Sequence, residues 1–185
     1  MKTANRAYHA PAWLPGGHAQ TLWPLLIKPG PIKLRRERWA TPDGDFIDVD
    51  HLDGPPDAPL LVLFHGLEGS ARSHYALSTA HACKKAGWRL ILPHFRGCSG
   101  EMNRRPRAYH SGDSDEIDWI LRRLQATNGG RPLHAAGVSL GGNALLKWAG
   151  ERGSAAAEQV TGVVAMCAPL DLAACGHHLA HGFNR

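Results

Sequence analysis

The chain has 185 residues, 43% of them hydrophobic and 20% charged, with a formal net charge of +5 and a sequence pI near 9.3. This is the make-up of one soluble domain with a core of its own; no apolar run approaches the ~20 residues that cross a bilayer, and Met1 to Trp13 hold no apolar stretch of a secretory signal. Much of the positive charge sits in two clusters, Lys33 to Arg38 and Arg104 to Arg107, which lack interleaved aromatics and a nucleic-acid module, so they read as solvated faces rather than a nucleic-acid partner surface, with peripheral contact to an anionic lipid surface left open.

In chain order, Pro11 to Pro31 is rich in proline and glycine with scattered tryptophans. It predicts that Pro11 to Pro31 wraps the domain surface rather than forming a regular element, within a wrapping N-terminal segment over residues 1–34. Arg36 to Ala40 and Phe46 to His51 predict two antiparallel strands, joined by the turn Thr41-Pro42-Asp43-Gly44, with Ile47 and Val49 alternating against Asp48 and Asp50. Asp53 to Pro59 is a second loop. Leu60 to Phe64 is apolar on both faces, as a buried parallel strand is, and ends at His65-Gly66-Leu67-Glu68-Gly69. A helix is expected from about Ser73 to Ala86, closed by Gly87.

Trp88 to Leu92 is the next expected strand, and Pro93 to His110 a long loop carrying Arg96-Gly97-Cys98-Ser99-Gly100. Ser114 to Ala126 predicts an amphipathic helix with Ile117, Ile120, Leu121 and Leu124 on one face. A strand over Leu133 to Val138, a helix over Leu140 to Glu151 and a strand over Gln159 to Ala168 follow. Leu170 to Arg185 starts as a helix and stops. This alternation predicts a single α/β domain over residues 1–185, a mostly parallel sheet with helices on both faces, and shows no repeat. Cys83, Cys98, Cys167 and Cys175 form no C-x-x-C pair and read as free thiols, which points to a cytoplasmic location.

The most informative stretch is Gly137-Val138-Ser139-Leu140-Gly141-Gly142, set between an expected strand and an expected helix. A Gly-x-Ser-x-Gly in that setting is the nucleophile elbow of an α/β-hydrolase, with a turn so sharp that only glycine-sized neighbours fit beside the serine. The plainer alternative is a glycine-rich turn that holds a serine by chance. If the elbow is real, Ser139 is the catalytic nucleophile, and the backbone N–H groups of Leu140 and Leu67 form the oxyanion hole. In this fold an acid and then a histidine follow the serine. Here only Glu151, Glu158 and Asp171 and then His177, His178 and His181 do so, and the histidines follow Asp171 too closely to reach back across the sheet. Asp171 reads better as a helix N-cap, His177-His178 as a solvated helix end rather than a metal site, and His65 and His110 as loop-organising residues. Val160 to Ala168 is apolar on both faces and reads as an interior strand, which would be an unprotected edge if nothing followed it. The expectation is therefore an α/β-hydrolase fold that stops after the strand following the nucleophile helix, with the acid and histidine of the triad missing.

With these residues in view, the chain resembles the YheT-like branch of the α/β-hydrolases, the group that includes the mammalian α/β-hydrolase-domain lipases. The matching stretches are Gly17-His18-Ala19-Gln20-Thr21, His65 to Gly69 with Ser73-His74-Tyr75, Phe95 to Gly100 with Asn103-Arg104, and Tyr109-His110-Ser111-Gly112. They continue with Gly137 to Asn143, Leu145-Leu146-Lys147 and Ala168-Pro169-Leu170-Asp171-Leu172. The resemblance implies a serine esterase acting on carboxylic esters, from short-chain esters to monoacylglycerols or phospholipids, with no cofactor, and places its nucleophile on Ser139. Two other readings stay open: a catalytically inactive binding protein on the same fold, and acyl transfer to an alcohol in place of water.

Overall fold

Leu60, Val62 and Phe64 face one side of their strand and Leu61 and Leu63 the other, so this short apolar run must be covered by helices twice over. The computed structural model, which describes residues 9–27 and 29–181, satisfies that demand. Its strands are β1 (Arg35–Ala40), β2 (Phe46–Leu52), β3 (Leu60–Phe64), β4 (Arg89–Pro93), β5 (Leu133–Val138) and β6 (Gly162–Met166). They form one sheet in the order β1-β2-β4-β3-β5-β6. The pairs β4/β3, β3/β5 and β5/β6 are parallel, and the β1–β2 hairpin joins β4 antiparallel.

The helices are α1 (Gly17–Leu26), α2 (His74–Ala86), α3 (Ser114–Thr127), α4 (Leu140–Arg152), the short α5 (Ala156–Gln159) and α6 (Leu172–Leu179). Ile117, Ile120, Leu121 and Leu124 of α3 and Leu145 and Trp148 of α4 bury one face of the sheet with Val62, Phe64, Ile91 and Ala135. Ala76, Ala80 and Cys83 of α2 cover the other face with Leu63, Leu90, Leu92 and Ala136. The α/β order with helices on both faces is as the sequence implies. Gly87 closes α2 in the left-handed conformation at φ 72°.

Two expectations need correction. Pro11 to Pro31 is expected to hold no regular element, but Gly17–Leu26 is helical with Pro24 inside it. A proline inside a helix loses its N–H bond and crowds the carbonyl four residues back, but Thr21 Oγ1, bonded to Gly17 O, and the Trp13–Trp23 edge contact at 5.1 Å tie this segment locally. Residues 1–8 lie outside the described residues. The strand expected over Gln159 to Ala168 shrinks to Gly162–Met166 because the chain first closes a helical turn at α5. Among the described residues it is the last strand of the sheet, the unprotected edge expected if nothing followed it, with Val164 58% exposed.

The basic clusters are also more than solvated faces. Arg36 and Arg38 stand directly across from Asp50 and Asp48 on β2 and grip them at 2.8 Å. The same two arginines reach Ser99 O and Glu101 of the long loop, while Arg107 pairs with Asp113 and Glu116. No helix among the described residues is long and apolar enough to cross a membrane.

Candidate active site

The chain leaves β5 and enters α4 within one residue, and that residue is Ser139. It has φ 51° and ψ −117°, a conformation that costs a non-glycine residue about 1–2 kcal/mol. The turn is held from two sides, by Ser139 N–H donating to Met166 O at 2.8 Å and Ser139 O accepting from Asn143 N–H at 2.9 Å. Asn143 Nδ2 also donates to Pro169 O at 2.8 Å, which ties the first turn of α4 to the loop after β6.

The glycines around the serine are required by contact. A β-carbon on Gly137 would lie 2.6 Å from Gly141 O, and one on Gly142 would lie 2.9 Å from Gly137 O. One on Gly141 would collide with the carbonyl oxygens of Phe64 and His65. Small residues thus let the N-terminus of α4 drop onto the ends of β3 and β5. Its first-turn N–H groups, Leu140's among them, then converge beside Ser139, where they favour developing negative charge.

The loop after β3 meets the serine from the other side. A β-carbon on Gly66 would stand 3.2 Å from Ser139 Cβ. Gly69 N–H closes a turn onto Gly66 O at 2.9 Å, with Leu67 and Glu68 at its corners and Glu68 at φ 51°. His65 is 2% exposed and uses both ring nitrogens: Phe95 N–H donates to Nε2 at 3.0 Å, so Nδ1 carries the proton that it donates to Gly66 O at 2.7 Å. Burial pulls its pKa down to about 4 against the opposing pull of the Gly66 bond, so the ring is neutral at neutral pH.

Ser139, Gly66, Leu67, Glu68, Gly69, Tyr75 and their neighbours line a cavity of about 470 Å³, and the Ser139 side chain is half-buried at its wall. The expected site residues are therefore brought together: Ser139 and Leu67 share the cavity, and Leu140 opens the helix beneath the serine. The residues after Ser139 go elsewhere. Asp171 Oδ1 accepts Ala174 N–H at 2.8 Å as the N-cap of α6, and His177 and His178 occupy the last turn of that exposed helix. His74 is the one histidine lining the cavity among the described residues, and no hydrogen bond joins it to Ser139.

The sequence reading gave no role to four residues that shape this site. Tyr75 accepts Gly66 N–H at 2.9 Å and Tyr109 accepts Glu68 N–H at 2.7 Å. Buried Arg96 joins Asp43, Asp45 and Glu116, tying the long loop to the β1–β2 turn and to α3. Burial by itself would raise the pKa of Asp45. The N–H groups of Arg104, Arg105 and Phe46 and the Asn103 amide outweigh it and hold this carboxylate well below the usual range. No sequence spacing marks these residues, because each meets its partner only across the fold.

Residues 59–183 match a family model described as the alpha/beta hydrolase fold. The chain is 43% identical over 173 residues to "Putative esterase YheT" of Escherichia coli (strain K12), covering 91% of this chain and 50% of that protein. It is 30% identical over 159 residues to "Phospholipase ABHD3" of Mus musculus, covering 81% of this chain and 39% of that protein. The chain thus spans half or less of the length of these relatives. Among solved structures, the Pyrococcus furiosus esterase Pf2001 overlays with a TM-score of 0.65 at 16% identity, over 85% of this chain and 64% of that one. The α/β serine hydrolase XC6422 of Xanthomonas campestris overlays at 0.60 and 20% identity, over 77% and 65%. At these identities the overlays speak to the fold alone.

Proposed function

The chain belongs to the YheT-like α/β-hydrolases, and on that premise we propose that Ser139 is the nucleophile of a serine hydrolase that cleaves carboxylic esters. In this reading the Ser139 hydroxyl passes its proton to a base and its oxygen bonds to the ester carbonyl carbon. The carbonyl oxygen takes up the electron pair, held by the N–H groups of Leu67 and Leu140. The C–O bond to the alcohol then breaks and the alcohol leaves with the proton. Water attacks the acyl-serine in the same manner and frees the carboxylic acid.

The observation that carries this reading is the backbone of Ser139, at positive φ and wedged between a helix N-terminus and the Gly66 turn. Strain of this kind, held in place by the surrounding structure, clusters at active sites. The base and its orienting acid are assigned outside these 185 residues, because Asp171 is engaged as a cap and neither His177 nor His178 lines the cavity. Leu25, Leu67 and Val138 on the cavity wall suit the apolar part of a small-molecule or lipid ester. A second reading, a non-catalytic binding protein on this fold, draws on one observation: no histidine is bonded to the Ser139 hydroxyl among the described residues.

A fluorophosphonate probe and p-nitrophenyl acetate, applied to the chain and to Ser139→Ala, decide between them. Labelling that maps to Ser139 and is lost in the variant supports the hydrolase. Absence of labelling and turnover in protein that also carries the base assigned outside these residues favours the binding protein.

A further inference from the structure

Five consecutive amides run through the turn beside Ser139, from Gly66 to Ser70, and four of them are spent. Gly66 N–H goes to Tyr75 Oη at 2.9 Å, Glu68 N–H to Tyr109 Oη at 2.7 Å, Gly69 N–H to Gly66 O at 2.9 Å, and Ser70 N–H to Ser73 Oγ at 3.1 Å. Leu67 N–H, second in the run, makes no hydrogen bond among the described residues, and its residue lines the cavity with Ser139. Leu67 is 68% exposed, so this donor is open at the cavity wall to solvent or to a bound acceptor, while its neighbours are committed within the protein.

The direction of that donor is also determined. A trans peptide is planar, with its N–H pointing opposite to its C=O. Leu67 N–H shares its plane with Gly66 O, and Gly66 O is fixed by two donors, His65 Nδ1 at 2.7 Å and Gly69 N–H. The peptide before that plane is held through Gly66 N–H by Tyr75, and the peptide after it through Glu68 N–H by Tyr109. The second hold matters most. A turn with positive φ at its third residue and one with negative φ there differ by a flip of the central peptide, and Glu68 N–H belongs to that peptide. Glu68 at φ 51° prefers to flip back, and the Tyr109 hydroxyl is the group that opposes it.

We propose that Tyr75 and Tyr109 are positioning residues that hold the turn between them so that Leu67 N–H points at the carbonyl oxygen of the substrate. The inference rests on the reading of Ser139 as the nucleophile and gives the long loop a part in it. Tyr109 sits at the end of that loop, its ring stacked on Phe95 at 5.2 Å and 5°, and Phe95 N–H is the group that orients His65. Arg96 next to Phe95 anchors the same loop to Asp43, Asp45 and Glu116. The loop therefore reaches the turn twice, through Tyr109 and through His65, without touching the reacting atoms. Tyr75 comes from the first turn of α2 and keeps its distance from Gly69 only because that position has no side chain: a β-carbon there would collide with the Tyr75 hydroxyl.

The test uses Tyr75→Phe and Tyr109→Phe, each of which removes a hydroxyl and keeps the ring. Amide hydrogen exchange by NMR reads the geometry without need of turnover. In the parent, Gly66 and Glu68 exchange more slowly than Leu67. Tyr75→Phe speeds Gly66 alone by about tenfold or more, and Tyr109→Phe does the same for Glu68. Kinetics on matched oxo- and thiono-esters, measured on protein that includes the base assigned outside these residues, read the role, because sulfur is a poor acceptor and a thiono-ester gains little from an aimed N–H. Each variant is expected to lower kcat on the oxo-ester about tenfold, with KM within about twofold and a smaller oxo-to-thiono preference than the parent, since a lost oxyanion donor costs about 10²–10³ and a misaimed one less. Equal exchange rates at Gly66, Leu67 and Glu68 in the parent overturn the inference. So does an unchanged oxo-to-thiono preference in both variants. Failure of the underlying reading looks different: Ser139 of the parent then takes no fluorophosphonate, whatever the exchange rates show.

Discussion

Gly66 and Ser139 stand so close that a β-carbon added to the glycine would lie 3.2 Å from the serine Cβ and 3.4 Å from Val138 O. Two loops that are 73 positions apart in the sequence thus meet with no room for a methyl group between them. We expect Gly66→Ala to fold, since the neighbours need to give only a few tenths of an ångström. We also expect it to slow fluorophosphonate labelling of Ser139 by about tenfold, because the displacement falls on the reacting residue. Labelling rate and melting temperature, measured side by side, check both halves.

Gly141→Ala is the opposite case. Its β-carbon would meet the carbonyl oxygens of Phe64 and His65, which are backbone atoms inside the sheet and its exit loop and have nowhere to go. The helix must lift off β3. We expect a loss of about 1–3 kcal/mol or more of stability by urea denaturation, the range of overpacked interiors.

Arg96 is 6% exposed and is the cation shared by Asp43, Asp45 and Glu116. Thr41 and Arg96 together hold the Asp43 carboxyl down at about 2. Arg96→Met leaves buried Asp45 and Glu116 short of a partner, and we expect it to cost about 3–5 kcal/mol in chemical denaturation. Protease cutting within residues 94–107 should rise in the same variant, because Arg96 is one of the ties that hold this loop, beside Arg36 to Ser99 O, Arg38 to Glu101 and Asn103 to Asp45.

His65 gives the protein a pH dependence whose sign can be worked out. Its folded pKa, about 4, lies below the ordinary 6.5, so the unfolded chain binds the extra proton first. Its contribution is present above about 6.5 and is lost as the pH falls toward 4, a change of about 3 kcal/mol across the window. Protonation would also turn Nε2 into a donor facing Phe95 N–H. We expect urea midpoints to fall between pH 7 and 5, and His65→Gln, less stable at pH 7, to lose less over the same interval.

Asp171 caps α6 through Ala174 N–H at 2.8 Å. Asp171→Ala is expected to cost about 1 kcal/mol locally, visible as faster amide exchange in the first turn of α6. It should leave Ser139 labelling unchanged. A large loss of labelling would instead mark Asp171 as part of the catalytic machinery.

Much of the fold was legible in the chain. The double-sided apolar run of Leu60 to Phe64 and the helical spacing of Ile117, Ile120, Leu121 and Leu124 state which faces must be covered, and the packing follows them. The segment around Pro24 was not legible, because proline and glycine content signals a breaker while the contacts of Thr21 and Trp13 that favour the helix carry no such mark. The charge clusters were half legible: arginines at alternating positions suggest an exposed strand face, but only the register places Arg36 on Asp50 and Arg38 on Asp48.

The sequence by itself determined that Ser139 sits between a strand and a helix among glycines, because local sterics limit which residues such a turn accepts. Only the tertiary structure decided what aims at it. The hydroxyls of Tyr75 and Tyr109 lie 9 and 41 positions from the amides they hold, and hydrogen bonds over such separations follow from where packed layers bring chain segments together. Backbone sterics act between neighbours and are written in the residue types, whereas the satisfaction of a buried donor depends on whatever the fold sets opposite it.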